Sequence, residues 1–553
     1  MKFYFSRRCA GKKEEIAERL FEIIPAAVSW SIITGTLVIS FVRPVIAAAI
    51  IIAFNLYWLL RMFYMLIFLA FSYLKLSIDK QTDWNERIRN VDYADEYLTN
   101  YRSGSLRLGF QERVSFWTHI YQLKSLKRSK SLPARSQDIF HLVLIPVVKE
   151  TEEIIESTIE SISQSSFPPD KILVILALEE RAGQDVKEGV RQVESRFKRR
   201  FLDLLVVEHP DGLTNEARVK GANISYAARQ SARYFAQKQI PFENIIVSCF
   251  DADTVVSRSY FSCLTYNFMV CPQRERASFQ PIPVYYNNIW EVPAFARIID
   301  VGSSFFQLIE ATNPQKLVTF SSHSMSFKAL VDIGYWPVDM ISDDSAIFWK
   351  AFLYYDGDYR VVPLYSTVSM DIPNAGSWRN TFVNVYRQKR RWAWGIENFP
   401  IVMRGFLRSR AIPFSKKFKH SFKLFEGHIS WATWPFLLGV IGWFPAFFAG
   451  REFSSSVLYY SAPRIKAIIF NLASLGLLAT SILSICLLPK PKTRYPFLKI
   501  IGHLFEWILV PLISIFLSAV PALDAQTRLA RGKYMEFWVT EKKRIKKSAE
   551  AGS

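Results

Sequence analysis

The stretch Asn244-Ile245-Ile246-Val247-Ser248-Cys249-Phe250-Asp251-Ala252-Asp253 decides how the chain folds. Its apolar run is rich in β-branched residues and reads as a buried strand that ends abruptly in two carboxylates. Open α/β sheets bind ligands at the carboxyl ends of their strands, so a site is expected where this strand stops. Two acids two positions apart suit a hard divalent cation such as Mg²⁺, shared with substrate phosphates. They suit a plain turn equally well, because Asp is common there. The tripeptide alone leaves both readings open.

The flanking sequence has the same α/β texture. Strands are expected over residues 141–146, 171–178, 203–208, 277–281 and 359–363. Helices are expected over 151–163, 184–199, from after Asn223 to about 237, and over 290–310, 325–333 and 344–353. Such alternation implies parallel βαβ units around a nucleotide-sized crevice, within a domain spanning 138–375.

Composition sets this domain in a membrane context. Of 553 residues, 50% are hydrophobic and 15% aromatic, yet 21% are charged, which fits a soluble domain joined to membrane spans. After a basic segment, 1–20, the apolar runs 21–42 and 45–74 are each long enough to cross a bilayer. They are too long and too close together for a cleaved signal peptide. Residues 75–137 read as an interfacial linker, partly helical, lying against the membrane. Residues 376–425 are amphipathic and basic, and three further apolar runs, 429–450, 465–488 and 498–523, lie within 429–523. The tail, 524–553, is basic. Lys/Arg near span ends face the cytoplasm, so the main domain, the loop 490–494 and the tail are all expected there, in a multi-pass protein of the cell membrane. Three full spans after the domain cannot place both the loop and the tail inside. Pro511 and Pro521 therefore mark the last run as broken or re-entrant, beside four full spans. The net charge of +20 is read as facing anionic membrane lipids, since no nucleic-acid-binding motif is present. Cys9, Cys249, Cys263, Cys271 and Cys486 have no paired spacing and read as reduced.

Two more clusters carry chemistry. Ser342-Asp343-Asp344-Ser345 puts acids at a helix start, where the dipole favours negative charge; one Asp serves either as the N-cap or as a general base. Gln388-Lys389-Arg390-Arg391-Trp392 combines amide, guanidinium and indole, which suit a phosphate and a sugar face, or else lipid headgroups.

Taken in order, Asp251-Ala-Asp253, Ser-Asp343-Asp344 and Gln388-x-x-Arg391-Trp392 between membrane spans resemble the membrane-integrated family 2 glycosyltransferases, which include the cellulose, chitin and hyaluronan synthases. The resemblance runs over about residues 141–395. It implies a GT-A-like nucleotide-sugar-binding domain inserted between transmembrane helices. Glu150, in Pro146-Val-Val-Lys-Glu150, and Lys220, in Lys220-Gly-Ala-Asn223, would then bind the nucleotide sugar. Asp251 would approach the nucleotide and the metal, and Asp253 would hold the metal, Mg²⁺ or Mn²⁺. Asp344 would be the base, with Asp343 in support, while Gln388, Arg391 and Trp392 would hold acceptor and diphosphate. His323, in Ser321-Ser-His323-Ser-Met325, would either touch the acceptor or pack inside its loop.

Two departures stand out. Lys149 replaces the family's Asn, and Ala177-Leu-Glu179-Glu180 stands where Asp-Asp-Gly is usual, so the base-contacting acid is Glu179 with Glu180 as alternate. One base and no carboxylate nucleophile implies inversion, with a UDP-sugar as the expected donor and a glycan or lipid as acceptor. Three readings follow: a processive polysaccharide synthase, a single-transfer enzyme, or a non-catalytic nucleotide-binding scaffold.

Overall fold

The computed structural model describes residues 3–9, 11–101, 109–129, 131–448, 457–489, 496–538 and 540. The expected cytoplasmic loop 490–494 and residues 541–553 of the basic tail lie outside these residues. Two long helices open the chain, α1 (Lys12–Val42) and α2 (Pro44–Gln81), the second starting on a proline that has no N–H to leave unpaired. Three shorter ones follow: α3 (Trp84–Asp92), α4 (Ala94–Asn100) and α5 (Phe110–Ser129).

The α/β domain begins with β1 (Phe140–Val147), α6 (Glu152–Ser163), β2 (Ile172–Glu179), α7 (Gln184–Phe197), β3 (Asp203–His209), α8 (Lys220–Gln237) and β4 (Ile245–Cys249). These strands run parallel in the order β3-β2-β1-β4, as the alternating texture implied. β1, β2 and β4 are buried nearly throughout, which is why their apolar runs do not alternate with polar residues.

The second half departs from the all-parallel expectation. It comprises β5 (Val255–Val256), α9 (Tyr260–Val270), β6 (Ala277–Val284), α10 (Ala294–Ala311), β7 (Ser324–Ser326), α11 (Phe327–Asp332), α12 (Asp343–Tyr354) and β8 (Arg360–Ser369). β7 lies antiparallel between β4 and β6, β8 pairs parallel with β6, and β5 closes the sheet antiparallel to β8. The helix expected from 325 starts at Phe327, because the sheet takes Met325 between Val247 and Ser278. The helix expected from 290 starts at Ala294, directly after Pro293 in the N-cap position. The outcome is an α/β domain with a mixed sheet, set between long apolar helices.

The linker is corrected. Trp84, Ile88 and Val91 of α3 and Leu123 and Leu126 of α5 share one core with Val143, Phe261 and Leu264. Asn85 bonds Ser166 and Ser262, and His119 Nδ1 lies 2.7 Å from the Tyr266 hydroxyl. Of the aromatic residues read as interfacial, Trp84 and Tyr97 thus pack on the domain core, while Tyr93, Trp117 and Tyr121 stay exposed. The first turns of α1 are tied to later parts of the chain, through the ion pair of Glu18 with Arg404 and the hydrogen bond from the Tyr534 hydroxyl to Glu22.

Past the sheet come α13 (Trp378–Ala393), α14 (Asn398–Arg408), α15 (Phe414–Gly439) and α16 (Phe444–Phe447). Among the described residues, four helices are long and apolar enough to cross a membrane: Lys12–Val42, Pro44–Gln81, Ala467–Leu487 and Phe497–Ala530. The pair Phe414–Gly439 and Ile441–Phe447 is bent by 42°, so the broken element lies here and not in the last run, where Phe497–Ala530 forms one 34-residue helix although prolines had marked it. Pro435 sits within Phe414–Gly439.

The last helix touches the α/β domain near both ends. Glu506 pairs with Arg297 of α10, and Asp524 pairs with Arg390 of α13 at 2.9 Å. These contacts are 18 residues apart in the numbering, about 27 Å along a helix. A helix held at both places runs across the domain's α10–α13 face instead of leading away from it. Cysteine probes at exposed Arg410 and Lys533, in a background without Cys9 and Cys486, are accordingly expected to be labelled from the same side of the membrane. Labelling from opposite sides would show that the last helix crosses.

Candidate active site

The site forms where β1, β2 and β4 end, and its centre is an ammonium group. Lys220 is the first residue of α8 and is almost fully buried. Its Nζ donates to Asp251 Oδ1 at 2.8 Å and to Asp344 Oδ1 at 3.0 Å. Burial works against its charge, but Asp251 and Asp344 outweigh that and hold its pKa well above the usual lysine range. The lysine therefore stays charged and ties the end of β4 to the start of α12. Gly221 permits the approach: a Cβ there would lie 2.3 Å from the Pro337 carbonyl oxygen and 3.2 Å from Asp343 Cβ.

Asp251 is gripped from its other side by Ser321, whose hydroxyl donates to Oδ2 at 2.5 Å. The next residue, Ser322, has φ of 60°, a left-handed backbone that aims the loop inward. Asp253 is buried; its Oδ2 accepts from the Asp371 backbone N–H at 2.7 Å, and Asn287 donates to its carbonyl at 2.9 Å. Two oxygen-bearing acids beside a cleft suit Mg²⁺ or Mn²⁺, which take one or two carboxylates and complete their shell with phosphate and water. Both acids already accept hydrogen bonds, Asp251 from Lys220 and Ser321 and Asp253 from the Asp371 N–H, and among the described residues no three His, Cys, Asp or Glu side chains gather as a metal cluster.

The acid pair divides its roles by environment. Burial and the neighbouring Asp344 charge push the Asp343 carboxyl well above the usual range, against the pull of Lys220. Its Oδ2 is buried without a hydrogen bond. Asp344 is more open, and its backbone carbonyl accepts from Thr319 Oγ1 at 2.6 Å. His323 is fully buried, with Nδ1 3.0 Å from the Phe320 carbonyl and 3.8 Å from Asp344 Oδ1. Burial lowers its pKa despite Asp344, so it is neutral near pH 7 and belongs to the loop as much as to the acid.

The nucleotide-side residues are less convergent. Glu179, at the end of β2, pairs with Arg181 and lines a cavity of about 110 Å³ with Glu180, His209, Asp211 and Arg218. Glu180 turns away to accept from the Asp211 N–H at 2.9 Å. Glu150 folds back on its own loop, accepting from the Val148 and Lys149 N–H groups at 2.7 and 2.9 Å. Asn223 ties α8 to β2 through the Ala177 carbonyl.

On α13, Gln388 is buried and its Oε1 has no hydrogen bond. Arg391 donates to the Trp538 carbonyl at 3.4 Å and lies 5.2 Å from the Phe537 ring. Lys389, paired with buried Asp300, sits 3.6 Å from the Trp392 ring centre. Tyr285 lies 6.0 Å from the same indole at 33°.

Sequence reasoning missed Ser321 as a partner of Asp251, and it missed Asp371, Tyr285 and the Phe537-Trp538 segment. No local pattern marks the first three. Phe537 and Trp538 were passed over inside a tail read only for its charge.

Residues 246–519 match the family described as glycosyl transferase family group 2. The poly-beta-1,6-N-acetyl-D-glucosamine synthase of Staphylococcus epidermidis is 22% identical over 390 residues, covering 69% of this chain and 82% of that one. The synthase of the same name from Staphylococcus aureus is 24% identical over 286 residues, covering 50% and 58%. Among solved structures, the mannosyltransferase PcManGT from Pyrobaculum calidifontis in complex with GDP-Man and Mn²⁺ is 16% identical, covers 71% of this chain and 94% of that one, and superposes with a TM-score of 0.38. S. aureus TarS 1–349 in complex with UDP-GlcNAc is 13% identical, covers 72% and 94%, and has a TM-score of 0.34.

Because Asp343 is held protonated, its ionisation opposes folding. The folded state binds more protons than the unfolded one once pH exceeds the unfolded value of about 4, so the cost grows with rising pH until the raised pKa is passed. Asp343→Asn removes that cost. Its melting temperature relative to wild type should rise from pH 4 upward and then level off. A gap that narrows with pH would contradict a protonated Asp343.

Proposed function

We propose that this chain, made a member of the family 2 glycosyltransferases by its residues 246–519, transfers a sugar from a nucleoside-diphosphate sugar to a glycan or lipid acceptor at the membrane and works as a polysaccharide synthase. The observation that carries the proposal is the Lys220 bridge between Asp251 and Asp344, which brings a donor-side acid and a base candidate to one cation. The likeness to two synthases of a β-linked N-acetylglucosamine polymer supports a UDP-hexosamine as the first donor to try.

In this reading the nucleobase of the donor lies in the Glu179 cavity and the diphosphate lies against Lys220 and Arg391. Asp253, with Asp251 beside it, would hold Mg²⁺ or Mn²⁺, which would supply neutralisation of the leaving diphosphate. An arriving diphosphate competes for Lys220, and that frees Asp344 Oδ1. Asp344 then takes the proton of the acceptor hydroxyl while its oxygen attacks the anomeric carbon, and the electrons of the breaking bond leave with the diphosphate. Attack opposite the leaving group inverts the centre, so an α-linked donor gives a β-linked product. Trp392 offers the acceptor a ring face, and the α/β domain faces the cytoplasm, where nucleotide sugars are found.

The test is transfer by the purified protein against a panel of nucleotide sugars. Asp344→Asn is expected to lower kcat by roughly 10²–10⁴-fold while nucleotide affinity stays within a few-fold. Inactivity of the wild type with every donor would overturn the enzyme reading. Products of one added sugar would leave transfer standing and remove the synthase.

A further inference from the structure

The catalytic machinery does not account for Glu397, a buried carboxylate just past Trp392. Its Oε1 accepts from the Ile341 N–H at 3.0 Å, the Ser342 N–H at 2.8 Å and the Ser342 hydroxyl at 2.7 Å. Its Oε2 accepts from Trp394 Nε1 at 2.9 Å and pairs with the Arg7 guanidinium. Five donors thus converge on one side chain, and three come from the two residues before Asp343-Asp344. Ser342 is the N-cap of α12, yet its side chain caps no helix N–H and donates to Glu397 instead. The turn carrying the acid pair is therefore oriented from outside its own helix.

Arg7 is the cationic partner in this arrangement, and its segment is anchored independently. Phe5 is buried in the domain core, Ser6 Oγ donates to Asp339 Oδ2 at 2.6 Å, and Arg404 donates to the Ser6 carbonyl at 2.7 Å. Asp339 lies on the same loop, three residues before Ser342. Arg7 also lies 5.0 Å from the Tyr534 ring. Arg7 brings a positive charge to the buried Glu397 carboxylate, and removing one partner of a buried pair strands the other.

We propose that Glu397 is a positioning residue for Asp344, and that the N-terminal segment 3–9 completes the device through Arg7. This rests on the assignment of Asp344 as the base. The acid turn is thus held jointly by the helix after Trp392 and by the start of the chain, so undocking the N-terminal segment slows transfer without touching the donor pocket.

The test uses the full-length protein in detergent or nanodiscs, with Arg7→Met, Arg7→Lys and Glu397→Gln. Hydrogen–deuterium exchange over residues 337–346 is read beside steady-state kinetics and nucleotide binding. Arg7→Met and Glu397→Gln should exchange the Ile341 and Ser342 amides at least about tenfold faster. They should lower kcat roughly tenfold or more, with nucleotide affinity within about twofold, since small displacements of a catalytic group are costly. Arg7→Lys should recover much of both. Unchanged exchange overturns the proposal, as does faster exchange with wild-type kcat, or loss of nucleotide binding in step with kcat. A wild type inactive with every donor defeats the glycosyltransferase reading instead, which the exchange measurement would register separately.

Discussion

A buried lysine between two carboxylates governs how the rest of this structure is arranged. Taking a cation out of water costs several kcal/mol unless charge meets it at close range, and Lys220 is met twice. Asp251 arrives on the end of β4, Asp344 on the first turn of α12, and neither element can shift alone without stranding a charge. The packing is tight enough that residue 221 has no room for a side chain. Parallel strands on one side and the 319–323 loop on the other then fix where a donor and an acceptor could meet.

The apolar helices are not a separate layer bolted to this domain. Arg297 to Glu506, Arg390 to Asp524 and Arg404 to Glu18 are ion pairs between the domain side and long helices, each at least partly buried. Removing one partner of such a pair is more damaging than removing both. The domain side and the helices are therefore linked by buried charge, and α13, which carries Gln388, Arg391 and Trp392, meets the last helix through Arg390 and Asp524. The Lys389–Asp300 pair beneath Trp392 is a further buried link of the same kind.

Much of this was legible from residue order. The β1–β4 runs announced themselves because strands covered on both faces carry unbroken apolar sequence. Asp251, Asp253, Asp343 and Asp344 were legible because acids at strand ends and helix starts have local physical reasons to be there. Ser321 was not, since a serine in a loop becomes a carboxylate partner only when a left-handed residue turns it inward. The linker misled for a related cause: aromatic and basic residues suit a membrane surface and a domain core equally, and only the contacts of Trp84 and Leu123 separate the two.

The sequence by itself determined the fold class, the apolar frame and the identity of the acids, because periodicity, run length and local dipoles are properties of neighbours along the chain. Only the tertiary structure decided that burial raises the Asp343 pKa, where the last helix lies, and that Glu397 and Arg7 stand behind the acid turn. Those depend on burial and on pairs 390 residues apart in one case. Desolvation and Coulomb terms act through space, so no stretch of sequence carries them.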